Sequence, residues 1–467
     1  MARDTMGAYD QEDRMSSPQL SAQGGVEEPR AELSWQEKRE RRFQSWLAAP
    51  GINFVSPEAQ AAYRARATRI IKCLRLEQPD RVPCILTPGN FPIHYAGITT
   101  RIAMYNVEEV KRAWRLFQRD FEGDTCAVPM IHPGRVGEIT QTLTMKWPGH
   151  GLSEDVDMAQ YVEGEYMMAN EYDHLIKDPG DYFLRVHLPR TQAAFAPFQK
   201  LAAFRHTLGF AGGFVNAAAD SEVQAAFQAM VDAGKESAAF QKAAAEVARE
   251  GQAAGFPIFF GGGANAPFDA LGDTLRGTHG IMKDIYRQPE KLQEALETIT
   301  PWIIEGALAQ VNASGRPIVF FALHKGDDTF ISDKNFEAFY WPTLKKVILG
   351  LVAEGCVPLL FAEGKMNRRL EAISDLPRSS VLWWFDRTDM ARAKKVLGEV
   401  ACIAGNVPAS MMCLSTPQEV KEYCRKLIED CGPGGGYILT GGANAHDTTA
   451  AHLRAMTDAV REYGVYG

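Results

Sequence analysis

The sequence predicts an α/β protein of the TIM-barrel type, in which eight parallel strands alternate with helices. Eight short apolar or β-branched runs occur along the chain, and from the third run onward helical segments separate them. The runs are continuously apolar rather than alternating, which is typical of parallel strands covered on both faces. An open doubly wound sheet is the alternative, because strand number alone does not show that a sheet closes.

Composition and charge exclude several classes of protein. The chain has 467 residues, 46% hydrophobic and 23% charged, with a formal net charge of −8. No basic run occurs, so we expect no nucleic-acid partner. No apolar stretch is long enough to span a membrane, and the first twenty residues lack an apolar signal core. The eight cysteines are scattered without a C-x-x-C pair, which favours reduced thiols and a cytoplasmic location.

The N-terminal part divides into a tail and a helical extension. Residues 1–33 are rich in Ser, Gly, Gln, Pro and charge, and we expect a disordered tail there. A helical extension is expected over residues 34–80. Its first helix contains SWQEKRERRFQSWLAA, whose aromatic side chains would dock on the main body. The second helix would start at Ser56 and Pro57, a capping residue before a first-turn proline, and end by Pro79.

The barrel is expected over residues 81–467. The predicted strands are 82–88, 124–129, 256–262, 317–324, 357–364, 381–386, 401–406 and 436–442. Between the second and third strands, residues 130–255 are predicted to form an insertion with a hairpin and helices. An insertion of this size usually shapes or covers the mouth of an active site. In the sixth strand, Trp383 and Trp384 are expected to point to opposite faces of the sheet.

Polar side chains follow the predicted strands at the edge where TIM barrels carry their active sites. The catalytic candidates are His324, Asp327, Asp328 and Glu363. The candidates for substrate binding are Asn90, His94, His132, Asn265, Phe268, Lys325, Asp386, Asn406 and His446. A buried carboxylate is costly unless it is paired or liganded, so this set indicates a functional cleft. For each single residue the alternative is a structural role as a helix cap or a partner of Lys or Arg.

The segment HKGDD, residues 324–328, is the densest of these clusters. One histidine and two carboxylates within five residues could perform general acid–base chemistry or bind a metal. No cysteine or H-x-H spacing supports a metal, and His324 with Glu363 is the remaining metal option. The segment GGGANAPF lacks the spacing of a phosphate-binding loop, so we expect no nucleotide.

Several segments resemble the uroporphyrinogen decarboxylase superfamily, which includes corrinoid-dependent methyltransferases. They are RIIKCLRLEQPDRVPCILT, GGANAPFDALGDTLRGTHGIMKDIYRQPEKLQEALE, FEAFYWPTLKKVILGLVAEGCVPLLFAEG and GGYILTGGANAH. The resemblance covers roughly residues 60–465 and implies a TIM barrel that is often dimeric. It also implies one of two chemistries. One is cofactor-free decarboxylation of a porphyrinogen, and the other is methyl transfer to or from a corrinoid protein, commonly with zinc activating a thiol.

The chain departs from both patterns of this superfamily. The decarboxylases carry an arginine-rich segment after the first strand, whereas TPGNFPIHYAG is followed by its first arginine only at Arg101. In the thiol methyltransferases, a histidine and a cysteine follow the fifth strand and a second cysteine follows the eighth. Phe361, Glu363 and Ala443 stand at or near these positions, so a zinc site with thiolate ligands is not expected.

The resemblance and its departures imply a methyltransferase that acts on the substrate side of the pathway. It would move a methyl group between a small methylated substrate, for example a methoxylated one, and a corrinoid (cobalamin). The chain has no D-x-H-x-x-G segment, so a partner protein would carry the corrinoid. One of the four catalytic candidates would protonate the leaving group.

Two other functions remain open. A cofactor-free decarboxylase would need a cationic anchor, for which Arg276, Lys325, Lys365 and Arg387 are candidates. A barrel that binds a ligand without catalysis is the non-enzymatic alternative.

Overall fold

The computed structural model describes residues 33–206, 212–443 and 446–466. The tail predicted over residues 1–33 lies outside these ranges, except for its last residue. Ten strands are described: β1 Cys84–Ile85, β2 Met145–Pro148, β3 Gly151–Leu152, β4 Gln160–Tyr161, β5 Gly262–Asn265, β6 Ile318–Leu323, β7 Val357–Ala362, β8 Leu382–Phe385, β9 Cys402–Ala404 and β10 Tyr437–Thr440. Seven of them form one parallel sheet in the order β1-β10-β9-β8-β7-β6-β5.

Helices surround this sheet and build most of the insertion. The α-helices are α1 Trp35–Ala48, α2 Pro57–Leu74, α3 Phe91–Tyr95, α4 Thr100–Tyr105, α5 Val107–Asp120, α6 Gly134–Thr140, α7 Tyr172–Lys177, α8 Pro179–Tyr182, α9 Leu188–Thr191, α10 Gly212–Ala217, α11 Ser221–Ala253, α12 Pro267–Thr274, α13 Gly277–Arg287, α14 Pro289–Ser314, α15 Asp333–Asn335, α16 Trp341–Ala353, α17 Leu370–Ile373, α18 Met390–Leu397, α19 Ala409–Leu414, α20 Pro417–Cys431 and α21 Ala450–Tyr463. Short π-helical segments cover Phe183–His187 and Phe336–Tyr340, and 3-10 segments cover Ala193–Lys200 and Phe204–His206. Across the described ranges, none of the helices has the length and apolar character needed to cross a membrane.

The two helices predicted before the first strand are confirmed. Ser34 caps α1 through a capping box, and the Ser56 side chain accepts a hydrogen bond from the Ala59 N–H at the start of α2. The predicted end of α2 near Pro79 is wrong, because the helix ends at Leu74. Leu76 then adopts a left-handed backbone conformation with φ 60°, which a continuing helix cannot contain.

The second predicted strand, 124–129, is not a strand in the structure. The Asp124 N–H donates to the Cys84 carbonyl at 2.8 Å, and the Cys126 N–H donates to the Pro257 carbonyl at 2.9 Å. The segment thus contacts β1 on one side and the chain that leads into β5 on the other, without a ladder to either. The established architecture is an α/β fold with a seven-stranded parallel sheet. The two bonds are compatible with a barrel, although β1 and β5 remain the sheet edges.

The third predicted strand, 256–262, is displaced along the chain, because pairing covers Gly262–Asn265 instead. Phe256 and Ile258 pack with Cys126 and Ala248 rather than joining the sheet. The sequence pattern therefore identified a buried apolar run but not the residues that form the ladder. Each of the other six predicted runs contains an observed strand, so these predictions are confirmed.

The main sheet buries a different cluster on each face. Phe361 and Trp384 belong to a cluster with Phe43 and Trp46 of α1. Trp383 lies on the other face, in the large core shared with the flanking helices. The predicted division of the two tryptophans between the faces is confirmed. The Trp384 indole N–H donates to the Gly441 carbonyl at 2.7 Å, which satisfies its one polar atom.

The insertion contains a small sheet and the long helix α11. β2 pairs antiparallel with β4 and parallel with β3. Two contacts join this part of the chain to the end of α12: the Tyr161 hydroxyl donates to the Asp273 carbonyl at 2.8 Å, and His187 Nε2 lies 2.8 Å from the Thr274 carbonyl oxygen. The insertion therefore packs beside the helix that follows β5.

Candidate active site

A cleft of ≈ 570 Å³ opens at the carboxyl edge of the main sheet. Its volume is typical of a site for a small molecule. Its walls are formed by Phe361 of β7 and by residues that follow β6, β7, β8 and β10: His324, Asp327, Thr329, Phe330, Glu363, Gly364, Asp386, Arg387, Ala443 and His446. The structure therefore brings together five of the predicted site residues, namely His324, Asp327, Glu363, Asp386 and His446.

His324 is bound by a carboxylate from the preceding strand–helix unit. Its Nδ1 lies 2.6 Å from Asp273 Oδ2, and the Lys325 ammonium group also donates to Asp273. The hydrogen bond to Asp273 raises the pKa of His324 to about 9, against the opposing effect of burial. Burial would raise the pKa of Asp273, but the bonds from His324 and Lys325 outweigh it and hold this pKa below its ordinary value. His324 is therefore an imidazolium at neutral pH.

Asp269 holds the backbone of the same loop. This buried carboxylate accepts the backbone N–H groups of His324 and Lys325, each at 3.0 Å, and the Tyr340 hydroxyl at 2.7 Å. Burial raises the pKa of Asp269 to about 6. Since Asp269 and Asp273 lie one turn apart on α12, a single helix positions both the backbone and the ring of His324.

Glu363 follows β7 and faces His324 across the cleft. The distance from His324 Nε2 to Glu363 Oε1 is 3.6 Å, which is an ion-pair separation rather than a hydrogen bond. Within the described ranges no group donates a hydrogen bond to this carboxylate, and 46% of the side chain is exposed. Burial raises the pKa of Glu363; the charge of His324 opposes the shift, and that of Asp386 adds to it. Glu363 is therefore open to a ligand.

Asp327 and Asp328 bind the loop after β7 rather than standing free. Asp327 accepts the N–H of Lys365 and, at 2.8 Å, the N–H of Thr329. Burial would raise the pKa of Asp327, but these hydrogen bonds lower it overall. Asp328 accepts the Arg368 N–H at 3.1 Å and does not line the cleft. Both carboxylates were candidates for catalysis, and their occupied oxygens indicate that they hold the two loops together.

Asp386 and His446 occupy the side of the cleft beyond β7. Asp386 Oδ2 accepts the Gly364 N–H at 3.1 Å and lies 3.4 Å from Arg387 Nε. His446 Nδ1 accepts the backbone N–H of Asn90 at 3.0 Å, and burial lowers the pKa of His446. Asn90 thus supports a cleft residue without lining the cleft.

The other predicted substrate-binding residues lie away from the cleft walls. Phe268 is fully buried, with its ring 5.7 Å from that of Tyr340. Asn406 is buried and donates to the Thr388 carbonyl at 2.7 Å. Four more predicted residues do not line the cleft: Asn265, His94, His132 and Lys325. Asn265 is exposed to solvent.

Each of the last three has a local environment of its own. Lys325 pairs with Asp273, and His94 Nε2 lies 4.0 Å from Asp157 Oδ1. The His132 ring packs 6.4 Å from that of Trp147, and burial lowers the pKa of His132. The ion pair with Asp273 accounts for the position of Lys325. The Nε2 atoms of His94 and His132, by contrast, are buried without a hydrogen-bond partner among the described residues.

Asp273 is not among the residues predicted from the sequence, although the geometry makes it as important as His324. Its only local signal is the four-residue spacing from Asp269, which places both carboxylates on one helix face. The prediction that Arg276 could anchor a substrate carboxylate is wrong, because Arg276 is buried and paired with Asp284 and Glu165. Arg387 does line the cleft.

Metal binding has little support in the residues present. Among the described residues, no group of three or more His, Cys, Asp and Glu side chains could hold a metal ion. Phe361, Glu363 and Ala443, which stand at the zinc-ligand positions of the thiol methyltransferases, all line the cleft. They offer one carboxylate and no thiolate, so this donor set does not fit the thiolate zinc site of those enzymes.

A smaller cavity of ≈ 240 Å³ lies in the insertion, lined by Arg185, Val186, Arg190 and Gln199. Its two arginines are already paired, Arg185 with Asp181 and Arg190 with Glu171. The larger cleft is therefore the better candidate for chemistry.

A parallel sheet with a polar cleft at its carboxyl edge is typical of α/β enzymes. A sequence model of the uroporphyrinogen decarboxylase family (URO-D) matches residues 221–463, just over half of the chain. The chain belongs to this family, within the superfamily that the sequence motifs predicted.

The individual relatives share about a quarter of their residues or fewer with this chain in the matched regions. The chain is 25% identical over 204 residues to uroporphyrinogen decarboxylase of Actinobacillus succinogenes, covering 42% of this chain and 56% of the relative. It is 25% identical over 202 residues to the enzyme of Psychromonas ingrahamii, covering 42% and 55%. The chain thus spans about half the length of these curated relatives. Among solved structures, a methyltransferase from Methanosarcina mazei is similar in fold, with a TM-score of 0.58 and 16% identity, covering 85% of this chain and 98% of that one.

Proposed function

We propose that this protein is a methyltransferase that moves a methyl group between a small methylated substrate and a corrinoid carried by a partner protein. The observation that carries the proposal is the His324–Asp273 pair beside the open carboxylate of Glu363. A histidine with a pKa of about 9 is protonated at neutral pH and can donate a proton to a leaving group.

The residues of the cleft have separable roles in this reaction. When the methyl group of an ether leaves its oxygen, negative charge develops on that oxygen, and His324 Nε2–H is the proton donor. Asp273 holds Nδ1–H and stabilises the imidazolium, so the donor keeps one orientation. Glu363 binds a polar group of the substrate next to the reacting atom. A corrinoid, when bound on its partner protein, would supply the nucleophile that accepts the methyl group.

The exposure of the cleft supports a reaction partner that arrives from outside. The side chains of His324 and Glu363 are 40% and 46% exposed, so a substrate bound between them is accessible to a second protein. We also propose that the segment 124–129 takes the place of the eighth strand and completes a barrel, since it is hydrogen-bonded to β1 and to the chain that leads into β5.

The alternative is a cofactor-free decarboxylase, which Arg387 in the cleft and the decarboxylases among the relatives favour. Arg387 would bind a carboxylate, and His324 would protonate the carbanion left by loss of carbon dioxide. A porphyrinogen with eight carboxylates is a poor match, because Asp327, Glu363 and Asp386 line the same cleft. The decarboxylase would therefore act on a smaller acid.

One assay separates the two activities. Purified protein is incubated with methoxylated compounds, with and without reduced cobalamin, while methylcobalamin absorbance and carbon dioxide are both followed. The proposal requires cobalamin-dependent methyl transfer, and the rate of this transfer should fall by about 10²-fold or more in His324→Asn. His279→Asn, which changes an exposed histidine outside the cleft, should retain wild-type activity. Carbon dioxide release by the protein alone, without methyl transfer, would establish the decarboxylase instead.

A further inference from the structure

His446 has a defined protonation pattern in the cleft. Its Nδ1 accepts the Asn90 backbone N–H at 3.0 Å, so in the neutral ring the proton must lie on Nε2. Burial lowers the pKa of His446, which favours this neutral ring. No described residue pairs with Nε2, and His446 lines the cleft. His446 therefore offers a ligand a hydrogen-bond donor rather than a base.

Arg387 is the second uncommitted donor of the cleft. Its backbone N–H donates to the Gly364 carbonyl at 2.9 Å, which fixes its main chain. Its side chain is 67% exposed, and among the described residues its guanidinium has one long ion-pair contact, 3.4 Å from Asp386. Lys325 and Arg276, by contrast, already form ion pairs, with Asp273 and Asp284 respectively. Among the described residues lining the cleft, Arg387 is the guanidinium available for an anion.

The strand order separates these donors from the proton donor. Along the sheet the order is β10-β9-β8-β7-β6. His446 and Arg387 follow β10 and β8, whereas Glu363 and His324 follow β7 and β6. One side of the cleft therefore carries the donors His446 and Arg387 together with the carboxylate of Asp386, and the other side carries the His324–Glu363 pair. Phe330 and Phe361 add apolar wall for the body of a ligand.

We infer that the cleft selects substrates with one carboxylate, which Arg387 and His446 bind while the methylated atom lies at His324. The inference rests on the proposed function for the role of His324, and it narrows the substrate class to methylated monocarboxylic acids. A guanidinium binds a carboxylate through two parallel N–H groups, and a histidine N–H adds a third. The cleft has one arginine and three carboxylates, and these carboxylates would repel a substrate with several negative charges. The cleft therefore suits a substrate with a single negative charge.

The test is a binding measurement that needs no corrinoid and no turnover. Titration calorimetry compares 4-methoxybenzoate with 4-methoxybenzamide, and methoxyacetate with 2-methoxyacetamide, so that each pair differs in charge and not in size. The wild-type protein should bind at least one acid about tenfold or more tightly than its amide. In Arg387→Gln that ratio should fall to about twofold or less, whereas Arg387→Lys should retain part of it.

Further variants separate the anchor from general effects. Arg392→Gln removes an exposed arginine that pairs with Glu371 outside the cleft, and it should leave the ratio unchanged. His446→Leu should weaken acid binding, and His446→Gln, which keeps an N–H donor, should restore part of it. The inference is overturned if neither acid binds better than its amide, or if Arg387→Gln leaves the ratio as in wild type. Tight acid binding without methyl transfer would reject the proposed function while keeping the carboxylate anchor.

Discussion

His324 Nδ1 and Asp273 Oδ2 lie 2.6 Å apart and join the end of β6 to the last turn of α12. Lys325, the next residue along the chain, donates to the same carboxylate. One aspartate thus holds two consecutive cations, and only His324 of the two reaches the cleft. This arrangement makes the charge of His324 dependent on a residue that never contacts the cleft.

The first prediction concerns Asp273→Asn. The pKa of His324 is about 9 in the folded protein against about 6.5 in an unfolded chain, because Asp273 favours the imidazolium. The stability from this interaction is fully present below about pH 6.5 and is lost as the pH rises through 9. Without the carboxylate the pKa of His324 should fall. The alkaline limb of the pH–rate profile should then move from about 9 to lower pH, with less activity at pH 8.

An NMR titration checks this prediction without relying on activity. Histidine-selective NMR should show the His324 resonance titrating at lower pH in Asp273→Asn, although Glu363 and Asp269 still favour its charged form. The matched control is Asp173→Asn, which removes an exposed carboxylate paired with Lys291. An unchanged His324 titration in Asp273→Asn would disprove the assigned role of Asp273.

The second prediction concerns Glu363→Gln, which should lower turnover at low substrate concentration by about tenfold or more, because the substrate loses a charge-assisted hydrogen bond, while Tm stays within a few degrees. The carboxylate is half-exposed and binds no donor in the described chain, so the fold loses little when its charge is removed. Burial raises the pKa of Glu363, so its ionised form costs stability as the pH rises, and the amide avoids this cost. Kinetics and thermal melts are compared with Glu305→Gln on exposed α14 surface. Wild-type turnover would make Glu363 a rim residue.

Sequence patterns predicted the parts of the fold and site that depend on local order. Continuous apolar runs located β6 and β7, and the position after a strand end was enough to nominate His324 and Glu363. Asp273 was not predicted, because its contact with His324 spans 51 residues and its one local signal, the four-residue spacing from Asp269, also occurs on solvent-exposed helix faces. The run at 124–129 was predicted to be a strand because it is apolar. Whether it forms a ladder depends on how close β1 and the chain leading into β5 lie to it in the folded protein, which the local sequence does not show.

The third prediction concerns Asp124, the buried carboxylate that joins the helical extension to the sheet. Asp124 accepts a hydrogen bond from the Arg69 guanidinium and two more, each 2.9 Å long, from Nη1 and Nη2 of Arg81. Its Oδ2 also accepts the backbone N–H of Cys84 at 2.7 Å. Asp124→Asn leaves two cations without their shared partner and should lower the free energy of unfolding by about 3–5 kcal/mol. Urea denaturation measures this loss. Asp80→Asn, at a 62%-exposed partner of Arg69, should cost much less.

The fourth prediction concerns Gly364, which follows Glu363 in the turn at the cleft. Its φ of 76° is the left-handed region that favours glycine, and an added Cβ would collide with Asp327 Oδ2. Gly364→Ala should therefore displace the Asp327 bonds to Lys365 and Thr329, cost about 1–3 kcal/mol of stability, and reduce turnover by moving Glu363. Thermal melts and kinetics provide the measurements.

The matched control for Gly364→Ala is a glycine in open space. Gly306 lies on the exposed face of α14, and an added Cβ there meets no atom within 4 Å. Gly306→Ala should raise stability by about 0.5–1 kcal/mol, because alanine favours the helix interior, and should leave turnover unchanged. If Gly364→Ala behaved like Gly306→Ala, the turn would tolerate a side chain. The loop contacts of Asp327 would then not be what holds Glu363 opposite His324.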